Sequence, residues 1–340
     1  MKKVFMVLVF ITTIVAAQNK PDYSPKFSGY IRAWHETDFS TNQGDFLVKM
    51  ARVAIKGNVN EYAGYRFQVD FTRLGKLSTT STSLDGTKVL TGASATFSDV
   101  LLDAEAFVTP VKNLSFSVGQ FKVPFGTDNL RGGADIDFIN RPLLTNVAPG
   151  LRDVGFMGTY TMKDGIPMEF KAGLFNGAGQ NKPENDKSTN YSFRATVTPF
   201  TGFALAANYY GGKSSGADLG IYDFGFDYKF GKVFLSGEFG QRNSKTSAKE
   251  INSNSYFVYA NYQFDFSESF VSAIIPALRY ENYDPNGDAS NDEIGRITAG
   301  LAFQFAKIKF AQFRINYELF DYKDGRTNPD KLIFELQTRF

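Results

Sequence analysis

Apolar and polar residues alternate along most of this chain. In "YRFQVDFT", Tyr65, Phe67, Val69 and Phe71 fall on one side, and Arg66, Gln68, Asp70 and Thr72 on the other. "IYDFGFDYKF" sets Tyr222, Phe224, Phe226, Tyr228 and Phe230 against Asp223, Gly225, Asp227 and Lys229. "AQFRINYEL" sets Phe313, Ile315, Tyr317 and Leu319 against Gln312, Arg314, Asn316 and Glu318. A period of two residues marks a β-strand with two unlike faces. Segmenting by that rule predicts sixteen strands, near 27–37, 46–57, 62–73, 97–108, 113–122, 152–162, 167–176, 190–199, 202–211, 219–230, 232–242, 254–266, 270–283, 294–305, 310–321 and 331–340. No helix is predicted outside the N-terminal segment.

The connections carry a second pattern. Those after even-numbered strands are short, such as "NVNE", "TPVK", "FGK" and "AKIK". Those after odd-numbered strands are longer and polar: 38–45, 74–96, 123–151, 177–189, 212–218, 243–253, 284–293 and 322–330. An even strand count with short turns at one end and long loops at the other is the pattern of a transmembrane β-barrel. Hydrocarbon offers no partner to a free backbone N–H or C=O, so a spanning sheet has to close on itself. A soluble sandwich would bury the apolar faces against one another and leave open edges. The last residues, "IFELQTRF", still alternate, with Glu335, Gln337 and Arg339 on one side and Phe334 and Leu336 on the other. Closure explains such an ending: strand 16 pairs with strand 1, and Phe340 joins an aromatic girdle at the periplasmic rim. A C-terminal strand ending in Phe also resembles the signal by which outer-membrane barrels engage their assembly machinery.

Composition narrows the reading. Lys2 and Lys3, the apolar run "VFMVLVFITTIVAA" and the small residues Val15-Ala16-Ala17 have the order of a secretory signal peptide over 1–17, leaving a barrel domain at 18–340 and export to a Gram-negative outer membrane. Without Lys2 and Lys3 the remaining chain has 35 basic and 35 acidic residues, a neutral balance that argues against nucleic acid as a partner. The chain holds 35 Phe and 17 Tyr yet has a mean hydropathy of −0.24, as expected when apolar residues are spread by alternation. There is no cysteine and a single histidine, so the usual zinc sites and Cys–His catalysis are excluded, and no enzyme activity or cofactor is implied. His35 beside Trp34 reads as a rim pair. "DPNGDASNDE" (284–293) has Ala289 and Gly295 where a calcium loop needs Gly and Glu, so it reads as a solvated acidic loop.

Assigning the polar parity to the interior gives ten basic residues (Arg52, Lys56, Arg66, Lys171, Arg194, Lys229, Arg279, Arg296, Arg314 and Arg339). It gives as many acidic ones (Asp70, Asp103, Glu105, Glu169, Asp223, Asp227, Glu238, Glu281, Glu318 and Glu335). The parity of strand 1, "GYIRAWHE", is ambiguous. A wall this charged is wet, and sixteen strands enclose an aqueous channel. The charges either pair across strands and stiffen the wall or select what passes. The connection 123–151 is too long and too apolar for idle surface, and is expected to fold inward after strand 5 as a constriction loop.

Several stretches carry a family resemblance. "GQFKVPFG" (119–126), "FINRP" (138–142), "LRDVGFMG" (151–158), "GLFNGAG" (173–179), "LLDA" (101–104) and "ARVAIKG" (51–57) resemble the phosphate-selective porin O and P family. The resemblance implies a sixteen-stranded outer-membrane porin, usually trimeric, with basic residues along an anion pathway, and Lys122 matches the family's motif lysine. Where family members tend to have a run of arginines entering strand 2, this chain has Lys49-Met50-Ala51-Arg52. The expected function is a passive diffusion channel for small hydrophilic solutes with a modest anion, and on the family's name phosphate, preference. The candidate pore-lining cations are Lys122, Arg52, Lys56, Arg66, Arg131 and Arg141, faced by Asp128, Asp135 and Asp137 of the loop across a transverse field. The alternatives are a non-conducting structural or adhesin barrel and a barrel-embedded enzyme.

Overall fold

Pairing of consecutive strands accounts for nearly the whole architecture of the computed structural model. It describes residues 23–340 apart from 75–77, 85–86, 95–99, 184–186, 215, 268 and 306–310. The barrel strands are β1 (Lys26–Asp38), β2 (Gln43–Asn58), β3 (Ala63–Asp70), β4 (Leu101–Val111), β5 (Leu114–Lys122), β6 (Arg152–Met162), β7 (Met168–Phe175) and β8 (Asn190–Phe200). They continue with β9 (Phe203–Ser214), β10 (Ala217–Phe230), β11 (Val233–Lys245), β12 (Glu250–Tyr262, resuming at Phe264–Asp265), β13 (Val271–Asp284), β14 (Ile294–Phe305), β15 (Gln312–Tyr322) and β16 (Lys331–Arg339). Each pairs antiparallel with its neighbour in sequence, and β16 pairs with β1 from Tyr30↔Arg339 to Asp38↔Lys331. The predicted sixteen-stranded, all-β antiparallel barrel is the fold.

The chain end is tied down as closure requires. Gly29 N–H donates to the Phe340 carbonyl at 2.9 Å, and Phe340 N–H donates to the Gly29 carbonyl at 3.0 Å. The terminal ring lies over Gly29, where a Cβ would come within 2.6 Å of the Arg52 carbonyl oxygen and collide with the ring itself. Only glycine allows that approach.

The two faces separate as their chemistry demands. Outward rings and aliphatics such as Phe224 (58% exposed), Leu278 and Val118 face the surroundings, while Asp223, Glu281, Arg314 and Glu335 on the inner parity are almost wholly buried. β1, unreadable from sequence, turns Tyr30, Arg32, Trp34 and Glu36 inward. Trp34 packs inside against Ile139 and Ile333. His35 points outward and meets Phe46 edge-on at 4.6 Å, so the expected Trp34–His35 rim pair does not form. The register of β1 on β2 shifts after Arg32, leaving Lys49 as the extra residue, and this bulge brings its ammonium over the Trp34 ring at 4.6 Å.

The differences from the predicted strands are local. β3 stops at Asp70 rather than residue 73, because the Asp70 carboxylate accepts the Thr72 N–H and caps a 3₁₀ turn over Phe71–Arg73. The connection that follows contains a hairpin, Ser78–Leu84 with Thr87–Ser94, where the sequence reading expected plain loop. The predicted start of strand 4 near residue 97 lies outside the described residues, as does the predicted signal peptide. The acidic loop is held by its own turn: Asp284 accepts the Asn286 N–H at 3.0 Å.

Two outcomes check this arrangement. A tag inserted beside Ser247, in the turn 246–249 at the same end of the barrel as segment 123–151, is expected to be accessible on intact cells, and one beside Lys112, in a turn at the other end, is not. Phe224→Arg is expected to cost about 2–4 kcal/mol near the bilayer midplane, measured by unfolding in lipid. An effect near zero would place that face away from hydrocarbon.

Candidate functional site

β5 delivers the chain to the segment 123–151, which runs inside the ring. Its apolar residues explain why it enters. Phe125, Val147 and Ala148 pack with Phe121, Phe175, Tyr210, Leu219 and Ile221 of the wall. Phe138 and Leu144 pack with Phe257 and Tyr259 of β12. Phe138 meets the Tyr259 ring edge-on at 5.3 Å. Within the segment, Pro142 precedes a short 3₁₀ turn at Leu143–Asn146, and Gly126 adopts φ +76° at the bend inward.

The polar backbone of the segment also needs partners inside the barrel, and the wall supplies them by charge type. Carboxylates accept its amides. Glu238 takes the Thr127 and Asp128 N–H groups at 2.7 and 2.9 Å, and Glu281 takes that of Leu143 at 2.6 Å. Arginines donate to its carbonyls. Arg32 reaches Gly133 and Ile139 at 2.9 and 2.6 Å, and Arg314 reaches Ile136 at 2.6 Å. Arg279 reaches Asn140 at 3.0 Å, and Arg296 reaches Arg141 at 2.7 Å. Gln337 and Arg339 both hold Ala134. On the far side Ser192 and Arg194 of β8 hold Pro124 and Gly126, each at 3.0 Å. The loop is therefore fastened along an arc of wall that includes β8, β11, β13–β16 and β1.

Open space remains on both sides of the loop: about 550 Å³ beside Arg131, Asp137, Asp227, Lys229 and Lys232, and a second region reached from β16 and β1 through β6. In that second region a cavity of about 490 Å³ lies between the wall and the loop edge Leu130–Asp135. Its lining cations are Arg52, Arg66, Lys122, Arg152 and Arg339, and its one lining acid is Asp135. Arg52 pairs with Asp70 at 2.8 Å and donates to the Tyr30 hydroxyl at 2.9 Å. Arg66 and Arg152 share Asp103 at 3.2 and 2.7 Å, and Arg339 pairs with Asp135. Lys122 has no carboxylate at ion-pair distance among the described residues. Its ammonium donates to the Asn129 and Arg131 carbonyls at 2.9 and 2.6 Å. Five cations thus meet three carboxylates, an excess of positive charge on one side of the lumen.

The family model for phosphate-selective porin O and P matches residues 35–219, more than half of the chain. The chain belongs to the phosphate-selective porin O and P family. It is an outer-membrane porin, a channel and not an enzyme. Among solved structures it resembles a loop-deletion mutant of OmpT, an outer membrane protein of Vibrio cholerae, at 13% identity and TM-score 0.64, covering 94% of this chain and 100% of that one. It also resembles in-vitro folded OmpT of Vibrio cholerae in a trimer form (10% identity, TM-score 0.60, 93% and 99% covered). A third is an anion-selective porin from Comamonas acidovorans (12% identity, TM-score 0.59, 93% and 99% covered). At these identities the likeness is one of fold. No curated protein sequence matches the chain.

Within this porin the sequence-predicted site residues divide into two groups. Arg52, Arg66 and Lys122 come together on the cavity. Lys56 lies beyond it, exposed, with its ammonium 5.9 Å from the Phe107 ring centroid. Arg131 faces the opposite wall, where it pairs with Asp227 at 2.6 Å and Asp137 at 3.2 Å. Arg141 binds Asp128 at 2.7 Å and the Arg131 carbonyl at 2.8 Å, stitching the loop to itself. The expectation that Arg131 and Arg141 stand with Lys122 on one wall is therefore corrected, although Arg131 does border the other cavity with Asp227, Lys229 and Lys232. So is the expectation that three loop aspartates face a basic wall. Asp128 is held by Arg141, and Asp137 accepts from Tyr259 at 2.5 Å and Asn261 at 3.1 Å, which leaves Asp135. Arg152 is absent from the predicted site because it follows the loop rather than a readable strand face. The signal that points to it is its place opposite Lys122 across the β5–β6 pair.

The apolar pins are open to measurement. Phe138→Ala is expected to destabilise the porin by about 3 kcal/mol or more, whereas Phe138→Leu keeps most of the contact. Urea unfolding in micelles checks it, and equal small effects would mean that the ring does not anchor the loop.

Proposed function

We propose that this porin conducts small anions through the gap between β2–β6 and the loop edge Leu130–Asp135. The observation that carries the reading is the charge of that gap: five cations, three carboxylates, and Lys122 held by carbonyls alone. A carbonyl orients an ammonium without cancelling its charge. Low-dielectric walls around a narrow gap focus the remaining field on a passing ion. The loop, fastened to the rest of the wall, acts as the constriction. Phosphate is the first solute to test, since the family is named for it. In this reading the porin is a homotrimer in the outer membrane, in line with the trimer form of the similar OmpT. Its first 17 residues are removed on export, and the C-terminal strand with Phe340 engages the assembly machinery.

Reversal potential in a salt gradient across a planar bilayer tests the reading. The parent channel is expected to prefer chloride over potassium modestly at low salt, and Lys122→Glu is expected to move the zero-current potential toward the cation side. At 1 M salt, where the Debye length is about 3 Å, the shift is expected to shrink. Identical reversal potentials for parent and variant at low salt would make Lys122 a structural residue. A folded barrel that does not conduct would favour the adhesin reading.

A further inference from the structure

Lys122 holds Asn129 and Arg131, whereas from Gly133 onward the loop edge is held from one place. Its carbonyls at Gly133, Ala134, Ile136 and Ile139 are taken by Arg32 of β1, Arg314 of β15, and Gln337 and Arg339 of β16. Behind two of these donors stands a single carboxylate. Glu335 of β16 is fully buried, and it pairs with Arg32 at 2.6 Å and accepts the Arg314 Nε–H at 2.9 Å. Both guanidiniums turn one edge to Glu335 and another to the loop. The fork is rigid and planar, so fixing one edge on a carboxylate aims the other. Segment 140–144 has a comparable bracket in Glu281, but apolar packing of Leu144 secures it as well. The cavity edge at 133–136 takes its polar hold from the seam, with the apolar pins Phe138 and Ile139 just beyond it.

We infer that Glu335 is a positioning residue of the pore: through Arg32 and Arg314 it sets how far the loop edge stands from the β2–β6 wall. Without its charge, two like-charged guanidiniums would share one dry site. They would turn toward lumen water and let go of the Gly133, Ile136 and Ile139 carbonyls. The bracket spans β15, β16 and β1, so the loop edge is held only once the last strand has closed on the first.

The test is Glu335→Gln in the full-length porin. Single-channel conductance is expected to rise about twofold or more, because conduction follows the cross-section of the narrowest part. The chain has no cysteine, so an Ala134→Cys background reports the loop edge directly, and a water-soluble thiol reagent is expected to label it faster when Glu335→Gln is present. The control is Glu36→Gln, which removes another ion pair of the same seam, Glu36–Lys331 at 2.6 Å, that does not touch the loop. If Glu335→Gln does not fold, Arg314→Lys keeps the charge, loses the fork and is read in the same two ways. Unchanged conductance and labelling, or equal changes in Glu36→Gln, would overturn the inference. Neither readout depends on the sign of the ion selectivity, so the proposed anion preference can fail while this inference stands.

Discussion

The structure depends on one arrangement repeated around the inner wall: an arginine with one edge on a wall carboxylate and the other on a carbonyl of the inward loop. Arg32 and Arg314 share Glu335, and Arg279 and Arg296 share Glu281. A buried guanidinium without a partner is strongly unfavourable, and so is a loop carbonyl with nothing to accept. Each removes the other's cost. Losing one member of such a buried pair typically costs about 3–5 kcal/mol, so the loop's path is firmly specified although it has little regular secondary structure.

This arrangement also decides which charges are left for solutes. Most charges on the β13–β16 arc are taken up in holding the loop, and Arg131 is taken up by Asp227 and Asp137. The cations left at the cavity beside Lys122 are Arg52, Arg66, Arg152 and Arg339. An almost neutral chain can in this way present a locally positive gap. Overall balance governs the long-range field, while the arrangement of pairs governs the field within a few ångströms of the pathway.

The barrel was legible because its physics is local and periodic. Alternation gives strand faces, and the rhythm of short and long connections gives antiparallel order and an even count. The alternating segment 331–340 then requires a partner, since an unpaired strand could not persist in lipid. The pattern carries no signal where the period breaks. The inner face of β1 carries Tyr30 and Trp34 beside Arg32, and the bulge at Lys49 shifts the register, so no simple parity could be read there. Asp70 ended β3 early by capping a turn, a local competition that alternation does not report.

The sequence by itself determined that the lumen is charged, that 123–151 is apolar enough to enter it, and that Lys122, Arg52 and Arg66 are candidates for the pathway. It could not determine which charges cancel. Pairing across a barrel joins residues as far apart as Arg32 and Glu335, or Arg131 and Asp227, and such distances carry no periodic signal. Tertiary structure alone decided that Arg131, Arg141, Asp128 and Asp137 serve the loop, and that Arg152 and Arg339 join the cavity. The reason is geometric: a guanidinium or carboxylate takes the nearest partner in space, and only the closed ring brings those partners together.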